Sequence, residues 1–412
     1  VNAGFASDHT GIPGTARLAM DMLDEGTKKR SALQISEALD RIGARLGTGA
    51  DLDTAYVSLN TLKQYVSEAL EIFGDVILNP AFPEQEFQRL QKQLLAAIQR
   101  EKVQPNAMAM RVLPRLLYGP DHPYRNPFSG SGTEESVARI TVKHLRDFHS
   151  AWFKPNNCTL IVVGDYSLAE LLPKLERLFG GWRGGAVRAI EIPTPPARQQ
   201  PAVYLLDRPG SAQSVIFAGN VAPPKSNPDE IAIELANKIL GADFTSRINM
   251  NLREEKHWTY GARSSLLDAR GPRPFFVVAP VQSDKTRDAM LEIHRELNGV
   301  LRDRPITKAE LEKAIVNQTL RLPGTWETIS RIASALTEIV RFGLPDDYYQ
   351  TYADNVRAQN LESVSRAVAK LVRPDQLVWV VVGDRTKIES PVRELGFGEL
   401  SFINPDGEAI AQ

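Results

Sequence analysis

Hydrophobic and polar positions along the chain follow a helical period in some stretches and a strand pattern in others. Apolar residues spaced three and four apart predict amphipathic helices at 82–101 (FPEQEFQRLQKQLLAAIQRE) and 306–322 (ITKAELEKAIVNQTLRL). The stretch ARLAMDMLDEGTKK, at 16–29, predicts a further helix that runs into a Gly-Thr stop. Runs rich in β-branched residues predict strands at 54–62, 158–164, 274–281 and 377–383.

These elements occur twice in the same order. The stretches 156–182 and 374–400 each contain a β-branched run, a Val-Val-Gly-Asp turn and a helix-like segment. Their aspartates, Asp165 and Asp384, are 219 residues apart, which is about half of the 412-residue chain. A repeat at such a spacing indicates a tandem duplication.

A proline-containing stretch without helical period, AVRAIEIPTPPARQQP at 186–201, separates the two copies and predicts an extended linker. We therefore predict two homologous domains, at 1–187 and 201–412, joined by a linker at 188–200. Within each domain the strands follow one another without regular helix alternation, which favours an α+β fold over a doubly wound α/β fold. Each domain is expected to be a mainly antiparallel sheet with helices packed on one face.

The composition of the chain excludes several classes of binding partner. The 49 Lys and Arg residues nearly balance the 50 Asp and Glu residues, so no basic field is present to hold nucleic acid or an anionic membrane. No apolar run has the length of a membrane span. A single cysteine, Cys158, excludes a disulfide framework within the chain and a cysteine-based zinc site. Peptides or proteins remain as partners.

Four segments resemble the pitrilysin-type metallopeptidases, the family that includes insulysin and the mitochondrial processing peptidase. The resemblance covers nearly the whole chain, in order and in both halves. Its segments are 11–27 with the following helix, DHPYRNPFSG at 121–130, KPNNCTLIVVGD at 154–165 and LGADFTSRINMNLREEKHWTY at 240–260.

The resemblance implies an inverzincin motif, His-x-x-Glu-His, on the first helix, where two histidines bind zinc and the glutamate is the base for the attacking water. When the Met-Leu-x-x-Gly-Thr ending is used as the anchor, these positions fall on Arg17, Met20 and Asp21. The third ligand, a glutamate, falls on Ala97, or on Ala96 if the register slips by one. A guanidinium cannot ligate zinc, and Asp21 alone cannot hold the metal. We expect no zinc and no other cofactor in this chain.

The same helix can also be interpreted simply as an amphipathic element whose Leu18, Met22 and Leu23 fill a core. The two interpretations are compatible. Arg17 and Asp21 lie four residues apart, and we hypothesise that they pair across the vacated site.

In the second half, Arg253 and Tyr260 stand seven residues apart. In the family, an Arg and a Tyr at this spacing face the metal site across a closed chamber, so the resemblance implies that they bind the substrate backbone. A guanidinium and a phenol hydroxyl can donate to a carbonyl oxygen that gains negative charge. Without the resemblance, a solvated helix Arg and an ordinary strand Tyr would be the simpler interpretation.

The expected function is that of a non-catalytic, substrate-binding subunit of a heterodimeric zinc metallopeptidase that cleaves peptides in an enclosed chamber. The zinc is expected in a paralogous partner, and Arg253 and Tyr260 would act in trans. One alternative is a scaffold protein similar to the core subunits of the respiratory cytochrome complex. A stand-alone hydrolase with another metal site is a second alternative, but the sequence offers no ligand cluster for it. A start without Met indicates a processed or trimmed product, which favours the periplasm, with the cytoplasm as the alternative.

Overall fold

A computed structural model describes residues 1–410, which divide between two compact units. Unit 1 comprises Val1–Arg100, Phe128–Glu191 and Glu327–Arg341, and unit 2 comprises Glu101–Pro127, Ile192–Trp326 and the described residues from Phe342 onward. The strands are β1 (Arg45–Ala50), β2 (Ala55–Asn60), β3 (Ala202–Asp207), β4 (Gln213–Ala222), β5 (Arg263–Leu266), β6 (Arg273–Gln282), β7 (Val378–Gly383) and β8 (Glu399–Phe402). The helices are α1 (Thr15–Asp21), α2 (Ala32–Arg41), α3 (Val66–Leu78), α4 (Glu84–Glu101), α5 (Pro105–Tyr118), α6 (Glu134–Arg139), α7 (Val142–Trp152), α8 (Leu168–Phe179), α9 (Glu230–Asn237), α10 (Arg247–Asn249), α11 (Thr286–Gly299), α12 (Lys308–Leu320), α13 (Leu322–Thr325), α14 (Ile329–Phe342), α15 (Tyr348–Arg357), α16 (Leu361–Leu371) and α17 (Arg385–Arg393).

Unit 1 packs helices on a two-stranded antiparallel sheet. β1 and β2 pair from Arg45 opposite Asn60 to Ala50 opposite Ala55. Apolar side chains of α1, α3, α4 and α7 form the buried core beside this hairpin. The predicted helices at 16–29 and 82–101 appear as α1 and α4, and the predicted strand at 54–62 appears as β2.

The prediction of a strand at 158–164 is wrong. The segment does not pair with any strand of the described residues, and Leu160 and Val162 stay nearly half exposed. At the start of β2, the Val1 amino group donates to Ala55 O at 2.9 Å, and the Ala55 N–H donates to Val1 O at 3.1 Å. The Asn2 N–H donates to Asn157 O at 3.0 Å. Among the described residues, 158–164 therefore belongs to neither sheet.

Unit 2 is built on a six-stranded sheet with the order β5-β6-β4-β7-β3-β8. β4 pairs antiparallel with β6 and β7, and β5 with β6, whereas β3 runs parallel to β7 and β8. One face carries Trp379 and Ile216 into a core shared with α9, α11, α16 and α17. Helix α5 packs against β4 and β7, where Leu113 approaches the glycine at 219. The predicted strands at 274–281 and 377–383 are thus confirmed as β6 and β7.

Each unit contains a segment from the opposite half of the sequence. Residues 101–127, which carry α5, belong to unit 2, and residues 327–341, which carry most of α14, belong to unit 1. Shifted by the repeat spacing of 219 residues, 101–127 falls on 320–346, a range that contains the second segment. The exchange is therefore reciprocal and involves equivalent parts of the repeat.

Buried ion pairs hold α5 in unit 2. The Arg111 guanidinium, only 2 % exposed, lies 2.6 Å from a Glu101 carboxylate oxygen and 3.0 Å from an Asp406 carboxylate oxygen. Lys102 also pairs with Asp406, at 2.6 Å. These contacts tie the start and middle of the exchanged segment to the C-terminal part of unit 2.

The α+β class is confirmed for both units. No helix among residues 1–410 combines the length and the apolar character needed to cross a membrane. The boundaries at 187 and 201 remain a prediction.

Candidate functional site

Helix α1, which carries the vacated zinc positions, is fixed at its start by a buried carboxylate. Asp8 is 3 % exposed and accepts hydrogen bonds from the backbone N–H groups of Gly14 (2.9 Å) and Ala16 (3.0 Å). Burial raises the pKa of Asp8 to about 7, although the backbone N–H groups of Ala16, Gly14 and Thr15 oppose this rise. Gly14 precedes the helix with a φ of +101°, a conformation that favours glycine.

The position expected for the glutamate base is part of the hydrophobic core. Met20 is 0 % exposed and packs in the same cluster as Leu18, Met22 and Leu23, all of which are also buried. The predicted packing role of the latter three residues is therefore confirmed. The thioether of Met20 cannot act as a general base that takes a proton from the attacking water.

Arg17 and Asp21 form the predicted pair. The Arg17 Nε atom lies 3.7 Å from an Asp21 carboxylate oxygen, and the Arg17 Nη1 atom donates to Ser129 O at 3.0 Å. Burial raises the pKa of Asp21, while the positive charge of Arg17 acts in the opposite direction. The guanidinium thus occupies the place where the resemblance puts the first zinc ligand.

The donor set of this chain does not fit the zinc of the family. Ala97 is half-buried on α4 between the buried residues Leu94 and Ile98, and Ala96 faces solvent. Neither residue can supply a ligand, so a single carboxylate remains where three ligands are needed. Among the residues that the structure describes, no group of three or more His, Cys, Asp or Glu side chains could hold a metal ion.

Arg253 lies on a π-helical turn, Met250–Glu255, that directly follows α10. Its guanidinium stacks over the ring of Phe244, with Cζ 4.5 Å from the ring centroid. Its Nε atom lies 3.5 Å from a Glu254 carboxylate oxygen, and its side chain is 35 % exposed. The guanidinium is thus held on one face and open to solvent on another.

Tyr260 projects from a tight turn just before β5. The Thr259 hydroxyl accepts from the Gly261 N–H and donates to Gly261 O, both at 3.1 Å, so it closes the turn around Tyr260. The tyrosine is 92 % exposed. Its hydroxyl is therefore available to a molecule that binds at this surface.

The structure places Arg253 and Tyr260 in unit 2, on consecutive segments of the chain, and the vacated zinc positions in unit 1. Sequence reasoning missed Phe244 and Thr259, which hold the Arg and the Tyr. Phe244 precedes Arg253 by nine residues. The α-helical period does not place residues at this separation on one face, so it does not predict that the two side chains stack. The Thr hydroxyl next to Tyr260 is a weak turn signal that could have been used.

Two family models match the chain. Residues 1–121 match Insulinase (Peptidase family M16), and residues 139–317 match Peptidase M16 inactive domain. This protein belongs to the M16 peptidase family, as the resemblance predicted.

Relatives include proteins named as proteases and one named as a non-peptidase. The non-peptidase homolog YmxG of Helicobacter pylori is 22 % identical over 399 residues, which cover 93 % of this chain and 87 % of that protein. The zinc protease PqqE of the same organism is 21 % identical over 343 residues, covering 81 % and 76 %. A crystal structure titled peptidase M16 inactive domain, from Pseudomonas fluorescens, matches with a TM-score of 0.85 and 26 % identity, covering 93 % and 90 %.

Proposed function

We propose that this chain is the non-catalytic, substrate-binding subunit of a heterodimeric zinc metallopeptidase. The observation that carries the proposal concerns the side chains of helix α1. The helix keeps its buried packing. Met20 and Arg17 stand where the resemblance to the family places the base and the first zinc ligand. Such a chain can take part in peptide cleavage only together with another chain that supplies the metal and the base.

In the proposed complex, a zinc-bearing paralogue supplies the metal, which activates water, and the glutamate base. This chain supplies Arg253 and Tyr260. The half-exposed guanidinium and the exposed phenol hydroxyl donate to the carbonyl oxygen of a bound peptide, and the donation strengthens as negative charge develops there. Neither donor has to move a proton, so both work without a metal on their own chain.

The comparisons support a pair of subunits. One organism, Helicobacter pylori, has both a relative named a non-peptidase homolog and a relative named a zinc protease. The scaffold alternative requires no exposed donors. The turn that Thr259 closes around a 92 % exposed Tyr260 favours the peptide-binding role over a scaffold. A periplasmic location stays a prediction that cell fractionation can test.

The test is to mix this chain with a zinc-bearing member of the M16 family from the same organism and to measure cleavage of an unstructured fluorogenic peptide. We expect no cleavage by this chain alone and a rate well above that of the partner alone in the mixture. Arg253→Ala should lower kcat/KM by about tenfold to a thousandfold, the range for losing one transition-state donor. Arg366→Ala removes an exposed Arg from α16 and serves as the matched control. A mixture no more active than the partner alone would refute the proposal.

A further inference from the structure

The platform under Arg253 depends on a short loop. Phe244, whose ring stacks on the guanidinium, lies between a π-helical turn at Lys238–Ala242 and α10, and the residue is 60 % exposed. Little packing therefore holds the ring from outside. The position of the ring depends instead on where the backbone of this loop is fixed.

One buried side chain fixes it. Asn249, the last residue of α10, is 4 % exposed, and its Nδ2 atom donates to Phe244 O at 2.6 Å. Its Oδ1 atom accepts from the Ala262 N–H at 3.1 Å. Because the amide faces a carbonyl on one side and an N–H on the other, only this orientation satisfies both bonds.

The two hydrogen bonds of Asn249 lead to two different backbone segments, one next to each proposed substrate donor. Phe244 carries the ring under Arg253, and Ala262 lies two residues after Tyr260, beyond the turn that Thr259 closes. Asn249 touches neither donor through its side chain. It joins the loop that supports one of them to the strand start that supports the other.

We infer that Asn249 is a positioning residue that sets the placement of Arg253 relative to Tyr260. The inference rests on the proposed function for its catalytic consequence, whereas its structural part concerns this chain alone. When the carboxamide is lost, the Phe244 loop separates from the segment that carries Tyr260. The guanidinium then loses its support, and its placement relative to Tyr260 changes.

A second buried asparagine provides a matched control. Asn220 is 2 % exposed in the same unit, its Nδ2 atom donates to Leu371 O at 3.0 Å, and its Oδ1 atom accepts from the Arg373 N–H at 3.1 Å. It makes the same kind of two-ended bridge between backbone segments that carry neither donor. Asn220→Leu therefore reproduces the structural loss without the proposed positioning loss.

The first experiment uses this chain alone and measures the rate at which p-hydroxyphenylglyoxal modifies Arg253, followed by peptide mass spectrometry. We expect Asn249→Leu to raise that rate severalfold, as Phe244→Ala does, because the ring no longer covers one face of the guanidinium. Asn220→Leu should leave the rate at Arg253 unchanged. An unchanged rate in Asn249→Leu, with a raised rate in Phe244→Ala, would overturn the inference.

The second experiment measures kcat and KM of the complex with the zinc-bearing partner, normalised to bound zinc. Asn249→Leu should lower kcat about tenfold, with a smaller change in KM. The two donors stabilise mainly the transition state, and that stabilisation is lost when they are misplaced. Asn249→Asp keeps the acceptor for the Ala262 N–H and loses the donor to Phe244 O. Its kcat should therefore lie between those of the wild type and of Asn249→Leu. If Asn249→Leu does not fold, the kcat of Asn249→Asp tests the inference in its place.

A double variant separates positioning from general destabilisation. Asn249→Leu combined with Arg253→Ala should be no less active than Arg253→Ala alone, because residues that act as one unit are not additive. Fully additive losses would overturn the inference. If Arg253→Ala by itself leaves turnover unchanged, the proposed function fails, and the modification rate at Arg253 still decides whether Asn249 holds the platform.

Discussion

Arg17 and Asp21 face each other across one turn of α1, with 3.7 Å between the Arg17 Nε atom and an Asp21 carboxylate oxygen. Two residues at which the resemblance places zinc ligands here carry opposite charges and pair with each other. The separation exceeds that of a good hydrogen bond, and the side chains are 30 % and 40 % exposed. The contact is therefore a weak one that fills the vacated site.

Removing this ion pair should change stability little. Arg17→Ala and Asp21→Asn are each expected to change the free energy of unfolding by less than about 1 kcal/mol, because a partly exposed pair gains little beyond its solvation. Urea denaturation of both variants measures this. A loss several times larger in either variant would mean that the pair is an essential part of the fold.

Restoring the motif tests the assignment of the vacated positions. The variant Arg17→His, Met20→Glu, Asp21→His, Ala97→Glu should bind zinc stoichiometrically by metal analysis, because it regains two imidazoles and a carboxylate. The matched control retains Ala97 and should bind zinc much more weakly. Zinc binding equal in both variants would show that Ala97 is not the position of the third ligand.

The buried Asp8 should make stability depend on pH. Its pKa lies at about 7 in the folded protein, against 3.8 for a free side chain. The folded state therefore binds the proton more tightly, so the contribution is fully present below pH 3.8 and is lost as the pH rises through about 7. Relative to Asp8→Asn, the wild-type free energy of unfolding should fall between pH 5 and pH 8. A difference that is constant over this window would contradict the prediction.

Arg111 should be far more important to stability than a surface Lys. Arg111→Ala removes a guanidinium that is only 2 % exposed from Glu101 and Asp406, and we expect it to cost about 3 kcal/mol, because it breaks a largely desolvated ion pair on a helix packed in unit 2. Lys143→Ala, which breaks an exposed pair with Asp147 on α7, should cost less than about 1 kcal/mol. Chemical denaturation of the two variants side by side gives the comparison.

The turn at Tyr260 should depend on one hydroxyl. Thr259→Val keeps the shape of the side chain but removes both bonds to Gly261. Hydrogen exchange at the Gly261 amide should then become faster, and kcat/KM of the complex with the zinc-bearing partner should fall by a few fold. Thr337→Val, on the exposed α14, is the control, because its hydroxyl bonds only within its own helix. An unchanged exchange rate at Gly261 would show that the backbone alone closes the turn.

Local sequence patterns predicted the elements whose side chains follow a single period. Leu18, Met22 and Leu23 mark the buried face of α1, and the Val run of β7 marks a strand buried on both faces. The π-helical turn under Arg253 was not predictable in this way, because its wider period leaves no recognisable apolar spacing. The same holds for 158–164, whose composition is that of a strand although none of the strands in residues 1–410 pairs with it. Pairing depends on neighbours that the local sequence does not contain.

The reciprocal exchange of α5 and α14 affects how the chain can fold during synthesis. Unit 1 ends its first two segments at Glu191, yet it also contains residues up to Arg341, where the guanidinium bonds to Asp51 at 3.0 Å. Domains ordinarily fold from the N-terminus as they leave the ribosome. Here the first unit must wait for about 150 further residues, at a translation rate of roughly 5–20 residues per second. Nascent chains of this protein therefore carry an incomplete apolar core for about 8 to 30 seconds of synthesis.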